Sequence, residues 1–211
     1  MIANKNLKQL NKTMAAKDKI FHAATRLMSD NSFDNMTIRN ICQAAEISIG
    51  TFYHYFTGMD DLMTYFIARG YDEYKKKYNQ NKMEPPQRVI DILTYFAAYF
   101  SGFGLGFLSN FLSVKNQALN VDCILKFDTY NREVVEALIG CIQQSQDEGV
   151  IEGVYLVRKI YDELNAIFYG NVFNWCLSGG DYELTKTVRK MLTAHFNQYL
   201  RAEYRIKNDM M

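Results

Sequence analysis

This sequence predicts an all-α protein, three short N-terminal helices followed by a longer helical body, and three observations predict it. Only 2 prolines and 12 glycines interrupt 211 residues, so few positions forbid a continuous helix. From Ile20 onward apolar residues recur at i, i+3, i+4 and i+7, the stripe of a 3.6-residue helix rather than the alternation of a strand. The pair Pro85 and Pro86, in NQNKMEPPQ, marks the clearest break in the chain, because neither can continue a helix and Pro86 can start one.

Taken in order, Asn11 or Thr13 can cap a first helix whose inner face is Ile20, Phe21, Ala24, Leu27 and Met28. SDNSFDNM ends it, with Asn31 the best left-handed C-terminal residue. Thr37 then caps a short helix with Ile38, Ile41, Cys42 and Ala45 on one stripe and Arg39, Asn40 and Gln43 facing away. Ser48 caps the next. There Phe52, Tyr55, Phe56 and Met59 share the burying face, while Gly50, Tyr53, His54 and Thr57 share the opposite one. A tyrosine and an imidazole held outward beside a glycine suit a helix laid in a groove, since both can hydrogen-bond base edges or phosphates.

A connecting helix is expected over about 60–78, with Asp60 and Asp61 at its positive end and Lys75, Lys76 and Lys77 at the other. RVIDILTYFAAYFSGF is apolar almost all round, as a buried helix would be. Further helices are expected over about 125–146, 154–177 and 181–205, the last pair joined by SGGD with Asp181 as cap.

Composition excludes several classes. The chain is 48% apolar and 22% charged, has no run near the roughly 20 apolar residues that span a bilayer, and lacks a signal-peptide core, so a cytoplasmic protein is expected. Its formal charge is only +1, yet Lys5, Lys8, Lys12, Lys17, Lys19 and Arg26 face a lone Asp18 in the first 28 residues. Cys42, Cys123, Cys141 and Cys176 form no CxxC pair, so they are expected to fill core positions, with neither zinc nor disulfide. Only His22, His54 and His195 are present, no HExxH or GxSxG occurs, and the GxGxG of Gly102, Gly104 and Gly106 follows no strand. No enzyme, metal or cofactor is expected.

IFHAATRLM, MTIRNICQAA, ISIGTFYHYF and MDDL, within residues 20–62, resemble in their order the DNA-binding head of the TetR family of bacterial transcriptional repressors. Glu46 departs from the pattern where a glycine often closes the turn, and Ile49, Thr57 and Met59 stand where lysines are common in relatives. The resemblance implies a helix-turn-helix DNA-binding domain over 1–58 and a helical ligand-binding and dimerisation domain over 59–211. It further implies a homodimer on a palindromic double-stranded operator, acting as a repressor released by a small apolar or aromatic effector.

For base contacts Tyr53 and His54 are expected, with Thr37, Arg39, Ser48, Gly50 and Thr51 mainly on phosphates and Ile49 and Thr57 completing the face. Aromatic residues of the body, Phe96, Tyr99, Phe103, Phe107, Tyr130, Phe168 and Tyr169, are candidates to line a ligand pocket, although a plain core gives the same stripe. Asp91, Arg132 or Glu163 would supply a polar contact. The last two helices resemble the family's dimerisation pair; Tyr161, Leu164, Phe168, Val172 and Trp175 on one and Val188, Met191, His195 and Tyr199 on the other are the candidates, with intramolecular core again the competing account. The alternative is a DNA-binding adaptor of the same fold controlled by a protein partner or by cysteine oxidation; a helical enzyme is the remote one.

Overall fold

The structure is a computed structural model describing residues 2–29, 36–78, 82–111 and 132–207. Nine α-helices fall within them: α1 Ile2–Ser29, α2 Ile38–Ala44, α3 Ile49–Tyr55, α4 Met59–Lys77, α5 Pro85–Ser101, α6 Leu105–Phe111, α7 Arg132–Asp147, α8 Val157–Leu177 and α9 Leu184–Phe196. The sole β pairing among the described residues is an isolated antiparallel bridge, Ile151 to Leu200.

The first three helices pack on one another around Ile20, Phe21, Ala24, Ile41, Cys42, Ala45, Phe52 and Phe56, all buried. These are the positions that a 3.6-residue period puts on facing stripes. The first helix is longer than its capping residues suggest, because it starts at Ile2 and passes through Asn11 and Thr13 without a break. Asn31 lies outside the described residues.

α4 buries Leu62, Met63, Phe66, Ile67, Tyr71 and Tyr74, so its stripe serves head and body in turn. At the head Phe66 meets Phe21 with ring centroids 4.4 Å apart, and on the body side it meets Phe103 at 5.4 Å. Tyr99 of α5 lies against α4 where Gly70 leaves room: a Cβ there would come within 2.6 Å of the Tyr99 ring. Its hydroxyl donates to the Phe66 carbonyl at 2.9 Å.

Within the body α5 is the central helix, in contact with α4, α6, α7, α8 and α9. Pro85 and Pro86 open it, where a missing N–H costs nothing. Two sequence-based boundaries shift. Asp181 makes no cap; α9 begins three residues later behind Glu183, which has no side-chain cap bond. The last helix also stops at Phe196 instead of running to about 205, and Tyr199 sits in a turn. The turn is built by Asn197, whose Oδ1 accepts from the Ile206 N–H at 2.8 Å while its Nδ2 donates to the Ile206 carbonyl at 2.9 Å. Arg201 N–H reaches the Val150 carbonyl at 3.1 Å, so the C-terminal segment doubles back instead of extending.

Candidate nucleic-acid interface

The head is held at four backbone joints. Thr37 Oγ1 accepts from Asn40 N–H at 3.2 Å and Ser48 Oγ from Thr51 N–H at 3.0 Å, so both short helices carry a side-chain N-cap. Each cap of this kind stabilises by about 1 kcal/mol. Between them the chain makes a Schellman turn: Ile47 N–H donates to the Cys42 carbonyl at 2.9 Å and Glu46 N–H to that of Gln43 at 3.1 Å. Glu46 occupies the left-handed position with φ 51°, the only described non-glycine residue to do so. A non-glycine residue there costs about 1 kcal/mol, and its exposed ion pair with Lys19 at 3.8 Å returns little of that. At the far end of α3, Asp61 Oδ2 accepts from the Thr57 N–H at 2.9 Å and couples the exit of α3 to the first turn of α4.

On this frame α3 divides by face. Phe52 is fully buried and Phe56 nearly so, while Tyr53 is 54% exposed and Ile49 46%. His54, Ser48, Gly50 and Thr57 are exposed with them, Thr37 and Arg39 lie exposed on α2 and its cap, and Thr51 is half-buried against Ser48. All nine residues singled out for nucleic acid therefore have described positions, and eight are open to solvent. A Cβ at Gly50 would meet nothing closer than Ser48 Oγ at 3.7 Å, so the protein's own packing does not require glycine there. The space it leaves is on the outside.

The basic N-terminal residues are used differently from one another. Lys17 lies over the Phe56 and Tyr65 rings at 4.9 and 5.6 Å, and Arg26 donates to the Ala44 carbonyl at 3.3 Å. Asp18, the lone acid of that stretch, accepts from Tyr65 Oη at 2.8 Å and faces Arg69 at 3.8 Å. Burial and this carboxylate push the Tyr65 hydroxyl up to about 12. These contacts bind α1 to α4 and were not apparent from charge alone; the side chains of Lys5, Lys8 and Lys12 lie outside the description.

In the body, a narrow apolar cleft of about 330 Å³, counting space open to solvent, runs between α4, α5, α7 and α8. Of the candidate pocket residues Phe96, Phe168 and Tyr169 line it, joined by Phe100 and Asn165 among others. Tyr99 and Phe103 do not; they are taken up by the packing on α4 described above. The side chain of Phe107 and all of Tyr130 lie outside the description. None of the charged residues considered reaches the cleft. Asp91 pairs with Arg189 at 2.7 Å, Arg132 with Glu136 at 2.6 Å, and Glu163 with His195 at 2.8 Å.

The residues expected to join two subunits lie mostly inside the subunit. Tyr161, Leu164, Phe168, Val172, Val188 and Tyr199 are all buried in the subunit's own core. Trp175 is half-buried, its Nε1 donating to the Tyr182 carbonyl at 2.9 Å, and His195 is held by Glu163. Of the nine only Met191, 47% exposed, is on the outer side of the helix pair. That side carries Ile167, Gly170, Asn174 and Thr187 around a shallow trough of about 810 Å³, with Phe173 44% and Leu177 71% exposed nearby. Because α8 is apolar on two faces, helical spacing did not separate its inward from its outward stripe.

Residues 20–66 match the family model of bacterial regulatory proteins, tetR family. The "Probable HTH-type transcriptional regulator YttP" of Bacillus subtilis (strain 168) is 29% identical over 91 residues, 39% of this chain; the match spans only 44% of that relative's length. Among solved structures, a TetR transcription regulator from Haloarcula marismortui ATCC 43049 is similar at TM-score 0.66 and 19% identity, over 89% of this chain and 100% of the other. The transcriptional regulator FadR from Bacillus subtilis, solved in complex with stearoyl-CoA, is similar at TM-score 0.62 and 17% identity, over 82% and 96%. At such identities the structural likeness is one of fold. The family model and the curated relative are both those of bacterial regulators of transcription. Residues 20–66 thus carry the likeness to the tetR family of bacterial regulatory proteins, and the all-helical fold around them is similar to that of solved TetR-family regulators.

Proposed function

We propose that this protein is a homodimeric, sequence-specific DNA-binding repressor whose operator affinity is lowered by a small apolar molecule bound in the body. The observation that carries the reading is the outer face of α3, where Tyr53 and His54 stand in solvent beside the open space at Gly50 while Phe52 anchors the same helix from beneath. In a dimer, two such helices about 34 Å apart would enter successive major grooves of a palindromic site. The reading takes 1–58 as the DNA-binding domain and 59–211 as the ligand and dimerisation domain. It places the subunit contact on the outer side of α8 and α9, around Met191, Phe173 and Leu177.

The effector belongs in the cleft between α4, α5, α7 and α8, because α4 also packs on the head. A ligand that favours the misfitting subunit geometry by about 3 kcal/mol lowers operator affinity roughly a hundredfold. Control by cysteine oxidation is less well supported: burial pushes the thiols of Cys42, Cys141 and Cys176 up, the opposite of what a reactive thiolate needs. No helix among the described residues is long and apolar enough to cross a membrane.

Fluorescence anisotropy on DNA upstream of the protein's own gene tests the proposal. Binding should be saturable, one dimer per site, and should weaken steeply as salt rises. Absence of binding to every duplex tried would overturn it.

A further inference from the structure

Among the described residues of the head, three large apolar side chains face solvent: Met14 on α1, and Ile49 and Tyr53 on α3. Ile20, Ile38, Ile41 and Ile47 all pack into the head's core, so Ile49, 46% exposed, stands apart from them. Nothing in the fold calls for it. A β-branched residue is a weaker helix former than lysine, glutamine or alanine, and this one keeps about half of its hydrocarbon in water. Nor is it an apolar residue scattered singly over a surface. Tyr53 lies one turn further along α3, at the i, i+4 spacing that makes two side chains neighbours. Around the helix the outer face runs Ile49, Tyr53, Gly50 and His54, an apolar edge, then bare backbone, then an imidazole.

The hydrogen-bonding groups beside Ile49 are engaged within the cap. Ser48 Oγ accepts from the Thr51 N–H at 3.0 Å and lies 2.8 Å from Thr51 Oγ1, and α3, IGTFYHY, carries no lysine, arginine or carboxylate. In the major groove the base edges present donors and acceptors, and the one methyl group among them is that on C5 of thymine. An isoleucine laid against a donor or acceptor would strip its water and return no hydrogen bond. Against the methyl it buries hydrocarbon on both sides. Its χ1 is already held to one rotamer by the helix, so little freedom is lost on contact. Resting on the proposed operator-binding face, we infer that Ile49 is a specificity-determining residue that selects thymine by its 5-methyl group at one position of each half-site. Tyr53 and His54 are thereby left to the hydrogen-bonding edges beside it.

Deoxyuridine, which pairs as thymine does and lacks only that methyl, tests this. Each thymine of the duplex identified by anisotropy is replaced in turn, in both half-sites at once, and binding of the full chain is measured again. One position should weaken binding about tenfold, the size of two lost methyl contacts. Ile49→Ala should bind more weakly and no longer distinguish thymine from deoxyuridine at that position, with its urea midpoint unchanged because the side chain is exposed. Ile49→Val, which keeps a branched hydrocarbon, should retain most of the distinction. The inference is overturned if no thymine methyl matters, if the methyl dependence survives Ile49→Ala, or if it disappears only in Tyr53→Ala. The two proposals fail differently: a protein that holds its operator but ignores the methyl fails here alone, whereas one that binds no duplex removes both.

Discussion

α3 and α8 both place aromatic rings on opposite sides of one helix, and the two outward faces differ in kind. On α3 the buried Phe52 is followed by Tyr53, 54% exposed, in company with His54, Ser48 and Gly50. On α8 the buried Phe168 is followed by Phe173 and Leu177, 44% and 71% exposed. The first face offers hydrogen-bonding atoms on a rigid, capped helix of seven residues, which suits a hydrated, polyanionic partner. The second offers hydrocarbon over a shallow trough, which suits another protein surface. The same residue class thus faces solvent in two settings, and what tells them apart is the polarity of the ring's neighbours.

The contrast can be broken most forcefully from beneath. Phe52→Ala should cost the head about 3–5 kcal/mol, read by urea denaturation, and should abolish DNA binding together with it. A variant that bound DNA normally after losing this anchor would mean that the outer face does not depend on the core under it. Tyr53→Ala and His54→Ala sharpen the comparison from the other side. Each should lose about 1–3 kcal/mol of operator affinity and relax one base position, with the unfolding midpoint unmoved. Wild-type affinity in both would remove α3 as the reading helix.

Smaller effects follow from the turn and from the C-terminal joint. Glu46→Gly relieves a left-handed non-glycine residue, so it should raise stability by up to about 1 kcal/mol in a thermal melt. In the body, hydrogen bonds from Tyr199 and His195 hold the Glu163 carboxyl below the usual range. A carboxyl lowered on folding contributes stability that is present above its unfolded value and lost as pH falls through the folded one. Glu163→Gln should therefore flatten the acid side of the stability profile, and an unchanged slope below about pH 5 would show that the carboxylate contributes nothing there.

How far the sequence could be read follows the same division. The caps Thr37 and Ser48, the buried Phe52 and the open Gly50 were legible because polar and apolar residues segregate on the head helices, leaving one arrangement that buries the stripe. α8 was not: with Tyr161, Leu164 and Phe168 inside and Ile167, Phe173 and Leu177 on other faces, period alone cannot choose which stripe the subunit keeps. Tyr99 and Phe103 read as pocket walls for a similar reason, since an aromatic residue that packs on a neighbouring helix looks the same in sequence as one that lines a cavity. The early end of α9 depended on Asn197 meeting Ile206, which no helical pattern encodes.

The contact of Tyr99 with α4 has a consequence for how motion can travel. The body takes hold of that helix through a main-chain oxygen at Phe66 and through the notch left by a missing side chain at Gly70, one turn apart. A roll of α4 about its own axis would carry the oxygen away and drive other side chains into the tyrosine ring, whereas a tilt about that point disturbs neither. A tilt of α4 about that point would accordingly swing the head as a rudder turns on a fixed pin, without rolling it about the helix axis.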